Sequence, residues 1–147
     1  MSVFDSMQIN ASGLSLERLK LDTISTNIAN VNTTRTEDGE GPYLKKEVVF
    51  EESLKQVETS LSGKVKETEK SFGVRPTEIR ENTEDIVMEY DPTHPDANEE
   101  GYVQQSNVNM ADEMIHMMTT LRTYDANVTA MNASKEMLSK ALQITIG

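Results

Sequence analysis

The chain has 147 residues, about one domain, of which 36% are hydrophobic and 5% aromatic, with no tryptophan. Even with its 7 glycines it falls below the roughly 45–50% apolar share of a compact globular domain, so a lone copy would bury a thin core and neighbours are expected to complete it. The balance of 14 Lys and Arg against 25 Asp and Glu, −11 overall, excludes binding driven by nucleic-acid phosphates or by an anionic membrane surface, since both depend on basic side chains.

The first predicted element is a helix over residues 2–31. Met7, Leu14, Leu21 and Ile28 recur every seven residues, Phe4 and Ala11 begin a companion row continued by Arg18 and Ser25, and Ile24 and Val31 widen the stripe. Ser2 with Asp5 reads as an N-terminal capping pair. Asn30 and Asn32, followed by Thr33 and Thr34, mark the exit, because asparagine tolerates the left-handed conformation that ends helices.

Beyond the exit the character changes. Thr36 to Gly41 is an acidic, glycine-containing loop closed by Pro42, and residues 43–50 are strand formers. Residues 51–70 are charged and glutamate-rich with no assignable element, Gly63 being a break. Residues 72–79 and 86–90 read as short strands, the second placing Ile86, Met88 and Tyr90 on one face. Residues 91–101 are turn chemistry throughout.

A second helix is expected over residues 110–145, capped by Asn109, with Asp112 and Glu113 complementing its positive end. One row is Met110, Met117, Tyr124, Met131 and Leu138; the other is Met114, Leu121, Val128 and Leu142, interrupted by Lys135. A sustained seven-residue repeat is the signature of left-handed supercoiling against a partner helix. The six methionines of this helix read as an adaptable surface for non-identical partners, because methionine is unbranched and polarizable.

The charge is divided in the same way. Residues 1–40 carry −3, residues 41–101 carry −7 and residues 102–147 carry −1, which fits ends buried together and a middle facing water. The expected fold class is therefore mainly α with a small β-containing middle, the long N- and C-terminal helices forming an antiparallel coiled-coil-like pair. Its parts are an N-terminal axial helix (1–33), a middle segment of short strands and loops (34–106) and a C-terminal axial helix (107–147). The absence of cysteine excludes disulfides and thiolate metal sites. No basic n-region and apolar h-region open the sequence, and no run approaches the ~20 apolar residues of a membrane span. Any route out of the cytoplasm is expected to dispense with a cleaved signal and with membrane insertion.

Reactive constellations are scarce. Asp91, His94 and Asp96 offer an imidazole and two carboxylates, but Pro92 and Pro95 fix the backbone there, and loops rich in Asp and Pro are ordinary turns. A metal-dependent hydrolase built on those three would want further ligands, and the second histidine, His116, lies beside the helical stripe. No nucleophile motif, phosphate loop or HExxH helix is present. The sequence gives no reason to expect catalysis, a cofactor or a metal.

Three segments together resemble the axial proteins of the bacterial flagellar rod and hook, in particular the FlgC type of the proximal rod. The first is Ser25-Thr-Asn-Ile-Ala-Asn-Val-Asn-Thr-Thr-Arg35, containing Asn27, Asn30, Asn32, Thr33 and Thr34, followed by Gly41-Pro-Tyr43 and residues 45–50. The second is Tyr90-Asp-Pro-Thr-His-Pro-Asp-Ala97, running into residues 100–103. The third is Asn107-Val-Asn109, Glu113-Met, Arg122-Thr-Tyr-Asp-Ala-Asn127 and the helix to Leu142. Residues 51–85 carry no part of the resemblance. It implies a non-catalytic, self-assembling rod subunit that transmits torque in the basal body and leaves the cytoplasm through the flagellar type III export apparatus. It also implies partners that are other rod proteins and copies of itself, met through the terminal helices. The interface residues would be Met7, Leu14, Leu21, Ile28, Met110, Met114, Met117, Leu121, Tyr124, Val128, Met131, Leu138 and Leu142. The competing reading from the heptads alone is a coiled-coil adaptor or dimerisation protein.

Overall fold

The computed structural model describes residues 3–36, 41–61 and 64–146. In chain order these form α1 (Val3–Ala29), β1 (Lys46–Leu61), β2 (Lys64–Glu81), β3 (Val87–Tyr90), β4 (Tyr102–Gln105) and α2 (Met110–Ile146). β1 pairs with β2 in one two-stranded sheet and β3 with β4 in another. Two compact units divide the chain. The first comprises Met1–Leu19, Val49–Glu78 and Leu121–Gly147, the second Lys20–Val48 and Ile79–Thr120.

Both helices stand where the heptads put them. α2 begins at an asparagine cap: Asn109 Oδ1 accepts from the Ala111 and Asp112 N–H groups at 2.9 and 3.4 Å, and its carbonyl accepts from Glu113 N–H at 3.0 Å. Two donors that a helix start leaves orphaned are thereby met by the side chain, and the Glu113 N–H makes the first backbone bond of the helix. α1 ends at Ala29 without the left-handed asparagine expected there: neither Asn30 nor Asn32 has a positive φ, and the Asn30 side chain instead donates back to Thr26 O at 2.9 Å. The cap expected at Ser2, residues 37–40 of the acidic loop and the break at Gly63 lie outside the described residues.

In the first unit the two helices meet through small and polar side chains. The hydroxyls of Ser6 and Ser134 are 3.1 Å apart, and a Cβ added at Gly13 would stand 3.0 Å from Asn127 Nδ2. The two contacts lie seven residues apart on each helix and advance in opposite senses. The β1–β2 hairpin leans on α1 at one close approach. Gly73, at φ +100°, has room only for a hydrogen, since a Cβ there would fall 2.0 Å from Ser12 Oγ and 3.2 Å from Ile9 Cα. Val74 N–H donates to that same Ser12 hydroxyl at 3.1 Å, which in turn donates to Ile9 O at 2.7 Å. Along the hairpin, Thr77 Oγ1 donates to Val49 O (3.1 Å) and Arg75 Nε to Glu51 Oε1 (2.7 Å).

In the second unit Asn107 ties three segments together. Its Nδ2 donates to the carbonyls of Asn82 and Glu84 at 2.8 and 2.7 Å, and its Oδ1 accepts from Lys45 N–H at 2.8 Å. Buried apolar side chains are few among the described residues: Leu16 in the first unit, and Ile24, Tyr43, Val103 and Val108 in the second. Buried polar ones outnumber them, with Glu17 and Ser134 in the first, and Thr23, Asn27, Ser106, Glu113 and Thr120 in the second.

The middle differs from expectation in three places. Residues 43–45 are not strand, because Tyr43 N–H is taken by Thr33 O (3.0 Å) and Lys45 N–H by Asn107. Most of residues 51–70, left without an element, are strand in β1 and β2: Lys, Glu, Ser and Thr alternate with too few apolar residues to show a period of two. β4 was not anticipated, Tyr102–Gln105 being a four-residue strand whose register depends on β3.

Gly73→Ala is expected to destabilise the first unit. A non-glycine residue at this φ costs about 1–3 kcal/mol before the clash with Ser12 is added. Urea unfolding of the variant should show a lower midpoint, and an unchanged midpoint would contradict the close approach.

Candidate functional site

The most buried polar side chains of the second unit form one cluster. Asn27, which leaves α1 just before its end, has its full hydrogen-bonding capacity engaged. Its Oδ1 accepts from Tyr43 OH (2.9 Å) and Lys46 N–H (3.0 Å), while its Nδ2 donates to Lys46 O (2.9 Å) and Glu113 Oε2 (3.0 Å). Glu113, from the first turn of α2, is 1% exposed. Its Oε1 accepts no aligned hydrogen bond and is compensated by the Lys45 ammonium at 3.0 Å, with His116 Nδ1 at 3.8 Å. Burial, reinforced by the carboxylates of Glu81 and Glu113, pushes the Tyr43 phenol above its ordinary range, so it stays a hydrogen-bond donor. The cluster joins α1, the 43–46 segment and α2, and its chemistry is that of a clamp. It contains no nucleophile paired with a base.

The first and second of the three resembling segments meet within the same unit. Thr34 OH donates to Asp96 Oδ2 at 2.9 Å, and Arg35 Nη1 stands 3.6 Å from Asp96 Oδ1. Thr33 OH in turn donates to Asn30 Oδ1 at 3.1 Å. The Asp91–Ala97 loop is wound on itself. Asp91 Oδ1 accepts from Thr93 N–H (3.0 Å) and Thr93 OH (2.6 Å), which hold its carboxyl below the usual carboxylate range. Asp96 N–H donates to His94 Nδ1 at 3.1 Å. The three side chains considered as metal ligands are thus each engaged in loop contacts. Among the described residues no group of three His, Asp or Glu is placed to hold a metal ion. Pro92 and Pro95 are exposed and punctuate the turn, and Asn32 is exposed beyond the end of α1.

The rows singled out on the helices separate by exposure. On α1, Met7, Leu14, Leu21 and Ile28 are all half-buried. On α2, Met117, Tyr124, Val128, Met131 and Leu138 are half-buried, whereas Met110, Met114, Leu121 and Leu142 are exposed. Met110 therefore does not share the environment of the row assigned to it. The companion of the half-buried row is not Met114–Leu121–Leu142. It is the polar set Glu113 and Thr120 in the second unit, and Asn127 and Ser134 in the first, each buried or half-buried. A search for apolar heptads passes over such a row. The signal that could have found it is the alternation of four- and three-residue steps through Glu113, Met117, Thr120 and, further on, Tyr124, Asn127, Met131, Ser134 and Leu138.

Two of the motif segments, residues 25–35 and 107–142, fall within the regions matched by models of known protein families. Residues 7–35 match the family model described as flagella basal body rod protein, and residues 99–144 match that of the flagellar basal body rod FlgEFG protein C-terminal region. The flagellar basal-body rod protein FlgC of Bacillus subtilis is 40% identical over 148 residues, covering 98% of this chain and 99% of the relative. The chain belongs to the FlgC family of flagellar basal-body rod proteins. The FlgC of Borreliella burgdorferi is 36% identical over the whole of both chains, and that of Aquifex aeolicus 32% identical over 97% of each. This rod subunit is a structural protein of the flagellar basal body and not an enzyme, and it assembles with other rod components.

The clamp gives the rod subunit a sharp stability signature. Lys45→Ala leaves the Glu113 carboxylate buried without its cation, at an expected cost of about 3–5 kcal/mol, and adding Glu113→Gln should recover most of it. Denaturant unfolding of the single and double variants tests this; equal loss in both would mean that the charge pair is not what matters.

Proposed function

We propose that this rod subunit is built into the rod by its terminal helices, α1 and α2, which pair antiparallel in coiled-coil fashion within one subunit and turn an apolar row outward to neighbouring chains. The observation that carries this reading is the split exposure of α2. Its inward positions hold half the heptad, and Met110 and Met114 in the second unit and Leu121 and Leu142 in the first stay exposed. Each such Leu or Met would contribute roughly 1.5–3 kcal/mol on burial. The helix contacts at Ser6–Ser134 and Gly13–Asn127 support the antiparallel sense.

On this reading residues 1–33 and 107–147 are the axial parts and residues 34–106 the outer segment. The neighbours are copies of the chain and other rod proteins, and methionine on the outward row suits it to non-identical faces. Such contacts join one surface to a different surface of the next subunit, which generates an open helical array able to carry torque. Passage through the export apparatus fits a chain with no cysteine and, among the described residues, few buried apolar side chains, because little stability must be undone to thread it.

Leu121→Asp puts a carboxylate into the surface that neighbours should cover, a cost of several kcal/mol if it is buried unpaired. Rod assembly and swimming are expected to be abolished while the chain is still made in soluble form. His94→Ala, which removes one acceptor from a loop turn, should swim almost normally. A motile Leu121→Asp strain beside a paralysed His94→Ala strain would overturn the reading.

A further inference from the structure

The β3–β4 sheet carries an open edge. Its register pairs Val87 with Gln105, Met88 with Gln104, Glu89 with Val103 and Tyr90 with Tyr102. The phase of the ladder follows from the next step along, where Asp91 N–H donates to Gly101 O at 3.0 Å. Hydrogen-bonded and non-bonded pairs alternate in an antiparallel ladder, so Glu89 and Val87 bond to β4, whereas Met88 and Tyr90 turn their N–H and C=O away from it. The far edge of β4 confirms this phase. Tyr102 N–H donates to Asn98 Oδ1 and Tyr102 O accepts from Asn98 N–H, both at 2.9 Å. The preceding turn thus closes the β4 edge at Tyr102. On β3, no hydrogen bond among the described residues meets the outward groups of Met88 and Tyr90.

The side chains along this edge are bare as well. Val87, Met88 and Tyr90 are 57%, 58% and 63% exposed. Exposed edges are commonly guarded by lysine or proline, and β3 contains neither. The electrostatics are one-sided: residues 81–101 hold 8 Asp and Glu and not one Lys or Arg.

We propose that the β3 edge is a docking site for an extended segment of another protein, added as a third strand, in which Lys or Arg alternates with apolar residues. Met88 and Tyr90 would exchange backbone hydrogen bonds with that segment. Strand alternation puts the Met88 and Tyr90 side chains on one face and Val87 and Glu89 on the other. The apolar residues of the partner would cover the first face beside the edge-to-face Tyr90–Tyr102 pair, whose rings are 5.2 Å apart. Its cations would answer Glu89 and the neighbouring Glu84 and Asp85. A second copy is a poor occupant, because a chain of net charge −11 would bring acid to acid. The inference needs only the sheet edge and stands apart from the helix-borne assembly surface.

The test titrates the full-length, isotope-labelled chain with a capped peptide, Val-Lys-Val-Lys-Val-Lys, and with its glutamate counterpart. The lysine peptide should bind saturably, slow hydrogen exchange at Met88 and Tyr90, and leave Val87 and Glu89 little changed. Met88→Pro removes one outward donor and should weaken binding about tenfold or more, while continued protection of Asp91 N–H shows that the ladder survives. Glu89→Lys, which keeps the edge backbone intact, should also weaken it. Equal binding of the glutamate peptide, undiminished binding by Met88→Pro with the ladder intact, or protection on α2 instead of β3 would overturn the proposal. So would protection of Met88 and Tyr90 that rises with protein concentration in the absence of peptide, since a second copy would then be the occupant.

Discussion

The buried carboxylate of Glu113 is the constraint around which this molecule is arranged. An ionised group with 1% exposure is tolerable only where charge and hydrogen bonds surround it. Here Asn27 supplies one donor, Lys45 supplies the cation, and both must be delivered to the first turn of α2 by segments distant in sequence. Asn27 can serve only if its own oxygen is satisfied, which fixes Tyr43 and the start of β1. Lys45 can serve only if its backbone is held, which Asn107 does. The order of the second unit follows from these requirements. Such a network adds little net stability, but it penalises every alternative placement of the helix.

Polar contacts in the helix pairing have a second consequence. Where a two-helix seam would ordinarily bury Leu against Leu, the first unit sets Ser6 beside Ser134 and Gly13 beside Asn127, and the second sets Asn27 beside Glu113. On the proposed coiled-coil pairing, such polar residues at seam positions would specify register at the expense of stability. The apolar side chains not used inside remain on the surface, Met114 and Ile115 in the second unit and Leu121 and Leu142 in the first among them. A subunit made this way is well supplied with apolar surface for the other rod components it assembles with.

The long elements were legible because their signals are local. Seven-residue recurrence located both helices, Asn109 capped the second as its position implied, and the Asp91–Ala97 turn followed from its prolines. The Thr34 and Asp96 segments could be recognised as motif, yet their hydrogen bond across 62 positions could not be read from either one. The polar row of α2 escaped notice because heptad reading weighs hydrophobicity, and Glu113, Thr120, Asn127 and Ser134 look like a solvated face. The long hairpin escaped for the opposite reason: its strands are held by their ladder, with too little apolar alternation to mark them.

The central claim is that the exposed row of α2, and not the half-buried one, faces neighbouring chains in the rod. The absence of cysteine makes a direct measurement possible, because any introduced thiol is unique. Basal bodies assembled from Leu121→Cys or Tyr124→Cys subunits can be treated with a short thiol-to-amine cross-linker and the products sized. Cross-links to neighbouring chains from position 121, with position 124 giving little or none, are the expected result. Intermolecular products from 124 and none from 121 would contradict the account.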